Sequence, residues 1–596
     1  MSKIINKPLL IFFGFALLVF LGLFYIKNAS AQGDTGWTIE SFNLDARVQK
    51  DTNVDITETI IVDFDGLSKH GIYRKIPVSY PTRMGNNINI RISSLKTTNA
   101  SGETIPIKVS KEGKSMSIQI GDADKTVSGR NTYIISYKVS RVIITPNDNA
   151  EFYWNVTGLD WPVPILSVSA NISVPQEGLK DVVCFTGGYS ERASNCTSSK
   201  KINTATFLAQ NIIPGEGLTI SVAIDKNKLI FPSFFERLLS FLRDNLLYLS
   251  PLLVFTLIFK LYLLRGRDKE YKNIFKEEEG YKRTSLFAKV NAISVSANPP
   301  DDLSPGEVGT LVDEYANLRD VTATVIDLAR RGFMTITEEP KKGPFGKIKF
   351  SLDYNKVDEG KLKPYEISIL DMLFTKDRNI PAVLTKLHPN AYKDLQEAQK
   401  YLYEDLSSRG YFEGRPDEIR NKYLIAGIGT IFAAIFLGSF IAPFLASPAS
   451  LYFALIVSGI IIIAFSFFMP ARSALGRKSL AEVVGFKEAL KLGSWREKIY
   501  EKHNFFEEVL PYAIAFGITE KFIKAFKDAE IKNVSWYKGP HPLNVVYFNS
   551  SLNAFSSSLN SGVGASKPQG ASSGGSGFGG GGFSGGGFGG GGGGSW

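Results

Sequence analysis

Between residues 37 and 64 apolar and polar side chains alternate, and Val54, Ile56, Ile60, Val62 and Phe64 fall on one face of an extended chain. That period of two is the pattern of a half-buried strand. Short stretches of the same kind recur at 88–92, 115–120, 133–139, 165–174 and 218–224, separated by Gly, Pro, Asn and Asp clusters. Short strands at this spacing predict a sandwich of two antiparallel sheets over residues 32–240.

A second pattern is the unbroken apolar run. Residues 8–26 carry no charge, follow Lys3 and Lys7, and lead to Ala29-Ser30-Ala31. Charged start, apolar middle and small-x-small end are the parts of a secretory signal. The run is long for a signal peptide, so residues 1–31 are a signal peptide or a signal anchor, and either one exports the chain from residue 32 onward. Residues 246–264 are broken only by Lys260, close enough to the end to snorkel, and are followed by Arg265-Gly266-Arg267. Residues 423–445 and 451–469 are two more runs near the roughly 20 residues that span a bilayer. Arg415, Arg420 and Lys422 precede this pair, and Arg472, Arg477 and Lys478 come after it. Cationic flanks stay in the cytoplasm. The expected arrangement is a multi-pass protein of the cell membrane with residues 32–245 extracytoplasmic and 265–422 and 470–596 cytoplasmic.

The first cytoplasmic stretch switches to helical spacing. Val308, Leu311, Val312 and Tyr315 share a face, Asp320 can cap a helix over 321–330, and Gly332 stops it. Strands at 333–337 and 348–352 flank a Lys, Gly and Pro turn at 341–346. Helix, helix, strand, turn, strand is the winged-helix order. A weaker copy comes next, with helices at 365–374 and 391–409, and Gly410-Tyr411-Phe412 repeats the ending Gly332-Phe333. Residues 470–550 read as a further helical region. Within it Glu507 and Glu508 open an apolar helix that Pro511 begins or kinks. Without a companion His or metal ligand, those carboxylates read as a solvated helix start.

Charge and composition narrow the chemistry. The net charge is +10 over 596 residues, but the helix that would enter a DNA groove carries Asp320 and Asp327 against Arg330 and Arg331. The region around it balances acid and base, so nucleic acid is not an expected partner. Cys184 and Cys196 are the chain's two cysteines and lie in the exported part, where a disulfide is the expected use. Asn155, Asn171 and Asn195 each start an N-x-[ST] sequon. Four scattered histidines and no HExxH, GxSxG or P-loop leave no expected catalytic, cofactor-binding or metal residues.

Two exported stretches are dense in aromatics and carry Arg74, Trp154 and Trp161. They either line a ligand groove or form the packed end of the core, which is the commoner use; Glu151 is a candidate partner for Arg74. The end of the chain, 551–596, is rich in Ser and Gly and is expected to be disordered. Phe578, Phe583, Phe588 and Trp596 along it read either as spaced weak stickers for a membrane interface or a partner, or as parts of a merely flexible end.

Taken in order, GIYRKIP at 71–77, WNVTGLDWPVPI at 154–165, LSPGEVGTLVD at 303–313, ATVIDLARRGFMTI at 323–336, FFEEVLPYAIAFG at 505–517 and the closing GGSW resemble the YciQ-like predicted membrane proteins, domain of unknown function 2207. The resemblance covers nearly the whole chain and implies no assigned activity, cofactor or catalytic residue. The combined reading is a multidomain α+β membrane protein. It is a scaffold or sensor, with the lipid bilayer and other proteins as partners and no small-molecule substrate identified. A membrane-bound enzyme with an unrecognised site and a transporter component are the alternatives.

Overall fold

The computed structural model describes residues 36–145, 149–189, 191, 195–273, 276–286, 288–292, 303–339, 348–375, 378–441, 445, 447–492, 505–525, 534–539, 545–567 and 588–596. The signal segment, the 341–346 turn, Phe578 and Phe583 lie outside them. The chain divides into two compact units, one holding residues 1–245 with 444–449 and 579–596, the other 246–443 with 450–578.

In the first unit the alternating stretches are strands. The largest sheet has seven, in the order Cys196–Lys200, Thr204–Ile212, Ile165–Ser173, Thr38–Val48, Val54–Asp63, Arg130–Ser140, Arg91–Thr98. A second sheet runs Ile143–Ile144, Ala150–Asn155, Gly217–Ile224, Leu179–Gly187, and a third contains Gly71–Pro77, Ser115–Gly121 and Ile107–Glu112. Their apolar faces share one core around Phe42, Ile60, Phe152, Trp154, Ile165 and Phe207. This differs from the expected pair of antiparallel sheets. Thr38–Val48 and Ile165–Ser173 pair in parallel, which the long intervening chain permits, since parallel neighbours need a crossover and cannot share a hairpin. Cys184 and Cys196, on strands consecutive in the chain but belonging to different sheets, are joined sulfur to sulfur with Cα atoms 6.3 Å apart.

A helix, Phe234–Asp244, comes after the last strand. Ser233 accepts from Glu236 N, and Glu236 accepts from Ser233 N, a reciprocal cap. The helix leaves Phe234, Phe235, Leu238 and Leu239 exposed just before the first apolar run.

Among the described residues three helices are long and apolar enough to cross a membrane, Leu246–Gly266, Pro416–Ile441 and Pro448–Ser466. The last two approach closely at Gly427 and Gly459, where a Cβ on either would come within 2.8 Å of the other's carbonyl oxygen. Small residues permit such backbone contact between apolar helices.

The rest of the second unit is built on one core that joins both expected cytoplasmic parts. Helices Pro305–Asp313 and Leu318–Arg330 lead into strands Met334–Glu339 and Lys349–Tyr354, in the expected order. The short strands Ala382–Val383 and Tyr537–Lys538 complete that sheet. Pro511 sits inside the helix Phe505–Ala515. The cap of Leu318–Arg330 is Asn317, not Asp320: its side chain accepts from Arg319 N and Asp320 N, while the Asp320 carboxylate takes Asn317 N. Gly332 and Gly410 both take positive φ, +89° and +82°, ending two helices in the same left-handed way.

The Ser- and Gly-rich end is ordered in two places. Val545–Ala565 is a helix that buries Leu552, Phe555, Leu559 and Val563 in the core of the second unit. Those four recur at helical spacing inside a Ser-rich composition. Phe588–Gly589 and Gly592–Ser595 are strands of the first unit.

Candidate functional site

Strand Val54–Asp63 turns its even-numbered residues inward. Glu58 therefore enters the core between Ile56 and Ile60. A carboxylate there is tolerable only with a cation and further donors. Arg74, on Gly71–Pro77, supplies both: Nε reaches Glu58 Oε2 at 2.8 Å and Nη2 reaches Oε1 at 2.9 Å. Tyr137 donates to Oε1 at 2.8 Å. Neither charged side chain is exposed, 0% for both. Burial pulls the Arg74 guanidinium down, but Glu58 outweighs it and the group stays charged with a raised pKa. Burial, then Glu58, raises the Tyr137 phenol, so it remains a donor. The expected partner of Arg74, Glu151, instead accepts from Ser221 Oγ; it lies on a different strand whose side chain at that position faces away from the core.

The free donors of Arg74 point at main chain. Nη1 lies 3.2 Å from Lys75 O, 3.3 Å from Thr157 O, 3.2 Å from Gly590 O and 3.4 Å from Gly592 O. Thr157 O also accepts from Trp161 Nε1 at 2.9 Å. Trp154 and Trp161 are buried walls beside this point, and Trp154 Nε1 is buried without a hydrogen-bond partner among the described residues.

Across this surface runs the C-terminus. Gly592–Ser595 pairs antiparallel with Gly71–Pro77, Gly592 opposite Lys75 and Ser595 opposite Ile72. Phe588–Gly589 pairs in parallel with Trp154 and Asn155. Phe588 is buried and meets Tyr80 edge to face, centroids 4.9 Å apart. Trp596 stacks on His70 at 5.3 Å, and its main-chain oxygen accepts from His70 N at 2.6 Å. Arg74, Trp154, Trp161, Phe588 and Trp596, all singled out in the sequence, thus meet in one place. Glu58, Tyr137, His70 and Tyr80 were missed. The break in the apolar face at Glu58 was the available signal; the others carry none. The expected placement of 470–596 on the far side of a membrane from 32–245 does not fit its last stretch, because 588–596 pack in the same unit as the β-domain.

The second unit holds buried carboxylates of another kind. Glu307, Asp320 and Glu366 each sit at the third position of a helix and accept the N–H of the residue that caps it. Glu307 is pushed up to about 7 by burial and the neighbouring Asp405, against Lys363, and Asp320 to about 8 by burial. Glu307 also pairs with Lys363 and Arg409. Each side-chain oxygen satisfies an N–H at a helix start that has no partner within the helix, so capping accounts for the three. Among the described residues no three His, Cys, Asp or Glu side chains gather as a metal would require.

Comparison with solved structures returns native leukotriene A4 hydrolase of Saccharomyces cerevisiae, at 12% identity over 35% of this chain and 33% of the hydrolase, TM-score 0.23. It also returns the M1 zinc metallopeptidase of Deinococcus radiodurans, at 10% identity over 32% and 42%, TM-score 0.19. The chain thus spans well under half of either, and these likenesses carry no argument. Comparison with curated proteins found no match. Family models do match: the N-terminal domain of the predicted membrane protein family DUF2207 over residues 38–224 and its C-terminal domain over 294–526. With both domains present in order over most of its length, the chain belongs to the DUF2207 family of predicted membrane proteins.

Proposed function

We propose that this protein is a non-enzymatic scaffold or sensor of the cell membrane. In this reading an extracytoplasmic β-domain, residues 32–245, is coupled through apolar helices to cytoplasmic α+β modules of winged-helix character, residues 265–422, joined by 470–550. The observation that carries it is the use made of Arg74. The most deeply buried ion pair of the β-domain spends its remaining donors on backbone carbonyls, an arrangement for holding main chain. A hydrolytic or transfer reaction needs a nucleophile or an acid and base facing a substrate. Here Glu58 is sealed against Arg74 and Tyr137.

Charge supports the sidedness. Arg265 and Arg267 come directly after the first apolar helix, and Arg472, Arg477 and Lys478 after the third. The exposed apolar residues of Phe234–Asp244 suit the interface before the first crossing. Crosslinking pull-down from membranes, with the full chain and with 556–596 deleted, tests the scaffold role. Specific partners retained by the full chain support it, and their complete absence from both forms refutes it.

A further inference from the structure

The β-domain ends its packing in a groove whose occupant is visible. We propose that this groove is a receptor for a glycine-rich strand flanked by Phe and Trp, and that the chain's own residues 588–596 are the occupant. The inference goes beyond the scaffold reading by naming what the exported domain holds.

Selectivity for glycine arises from space. A Cβ on Gly589 would come within 2.5 Å of the Trp154 ring, and one on Gly590 within 2.9 Å of Asn155. On Gly591 it would lie 2.2 Å from Lys75 O, on Gly592 2.3 Å from the Asp160 carbonyl carbon, and on Gly593 2.1 Å from Tyr73 O. Such approaches are repulsive, and most of the opposing atoms are backbone that cannot swing aside. Gly589, Gly590 and Gly591 also hold φ of +74°, +89° and +78°, a left-handed run that other residues resist. The receptor has a matching glycine: a Cβ on Gly158 would fall 1.9 Å from Gly591 O. Gly594 alone in the run faces open space.

Affinity arises from main chain and the two ends. Gly590 N donates to Asn155 O at 3.0 Å, Asp160 N donates to Gly591 O at 2.9 Å, and Gly589 N donates to Tyr80 Oη at 2.8 Å. The free edge of Gly71–Pro77 is completed by the added strand, the strand-addition mode of peptide recognition. Phe588 fills a pocket at one end. At the other, Trp596 is fixed by His70, by Gly71 O and through Nε1 by Ile120 O at 3.3 Å. Two aromatic anchors at fixed spacing set the register that a bare glycine run lacks.

A docked terminus shares its side of the bilayer with the domain that holds it.

The test uses the full chain lacking 579–596, in detergent, with a labelled peptide FGGGGGGSW. The peptide binds, alanine at the position of Gly592 weakens binding at least about tenfold, and alanine at the position of Gly594 leaves it within a few-fold. Absence of binding, or equal binding of the Gly592 variant, overturns the proposal. Should the shortened chain not fold, the full chain with Gly592→Ala serves. Amide exchange in Gly71–Pro77 then rises, and unchanged protection overturns it. In intact cells a membrane-impermeant maleimide reaches Ser584→Cys and Asp124→Cys from the same side; labelling from opposite sides overturns the chain's own terminus as occupant. None of these outcomes depends on finding a partner by pull-down, so the two readings fail separately.

Discussion

Arg74 and Glu58 form a two-point ion pair, 2.8 and 2.9 Å, closed off from solvent on every side. Around it the β-domain aligns two tryptophans, a threonine carbonyl and the chain's own terminus. Its energetic role is distinct from that of a surface pair. Exposed pairs contribute little, whereas removing one partner of a buried pair strands the other charge.

Glu58→Gln should therefore destabilise the β-domain by about 3–5 kcal/mol, and Arg74→Met by a similar amount. Glu58→Gln with Arg74→Met should cost less than the sum of the two single replacements, since no charge remains buried. Hydrogen exchange of Val54–Asp63 reads the difference. Additive effects would mean that the pair is not coupled.

Much of this domain was legible in the sequence, and the reason is local. Alternation in Val54–Asp63 or Arg130–Ser140 is a property of neighbouring residues, and the strands fell where it indicated. The groove was not legible because its parts are remote: Arg74 meets Glu58 across 16 positions, Val156 across 82 and Gly590 across 516. The glycine run misled in a specific way. Lacking side chains, it cannot build a core, which is what composition reports. It can still be laid against a core built by others, and then the missing side chains are what let it fit. The helix Val545–Ala565 was missed because serines outnumber its four core residues. Asp320 was read as a cap and proved to be the third helical residue, since Asn317 three positions earlier also fits the signal.

Asp320 provides a pH prediction. Burial raises its pKa to about 8, against about 3.9 in an unfolded chain. Between these values the folded state binds the extra proton, so stability falls as pH rises. The contribution is complete below about pH 4 and lost above about pH 8. Glu307 and Glu314, both raised to about 7, act in the same direction. Asp320→Asn should flatten the decline in unfolding midpoint of the second unit between about pH 5 and 8. An identical pH profile would show that Asp320 is ionised in the folded protein.

The Cys184–Cys196 link closes a 12-residue separation. Loops near this size are stabilised by about 3 kcal/mol. Mass spectrometry of alkylated, unreduced protein should find neither thiol free. Reductant should lower the melting point of the parent chain but leave Cys184→Ser unchanged. Two alkylated thiols in the unreduced protein would contradict the pairing.

Gly427 and Gly459 set the distance between two apolar helices. Gly459→Leu should force them apart, and cysteines placed at these positions in the parent should crosslink readily in membranes. Gly429→Leu, at a position on the Gly427 helix where a Cβ would meet nothing within 4 Å, should perturb that crosslinking less than Gly459→Leu perturbs the packing of the two helices. Equal yields would mean that the helices do not rely on close backbone contact.

Residues 592–595 lie in register along Gly71–Pro77. Tyr73 stands opposite Gly594, and Gly594 has room for a side chain. Opposed residues of antiparallel strands lie about 4.5–5.5 Å apart, within the range a disulfide can span. The chain carrying Tyr73→Cys and Gly594→Cys, oxidised in native membranes, should form a crosslink within one polypeptide. No crosslink at this pair, or one found only between two chains, would contradict the account.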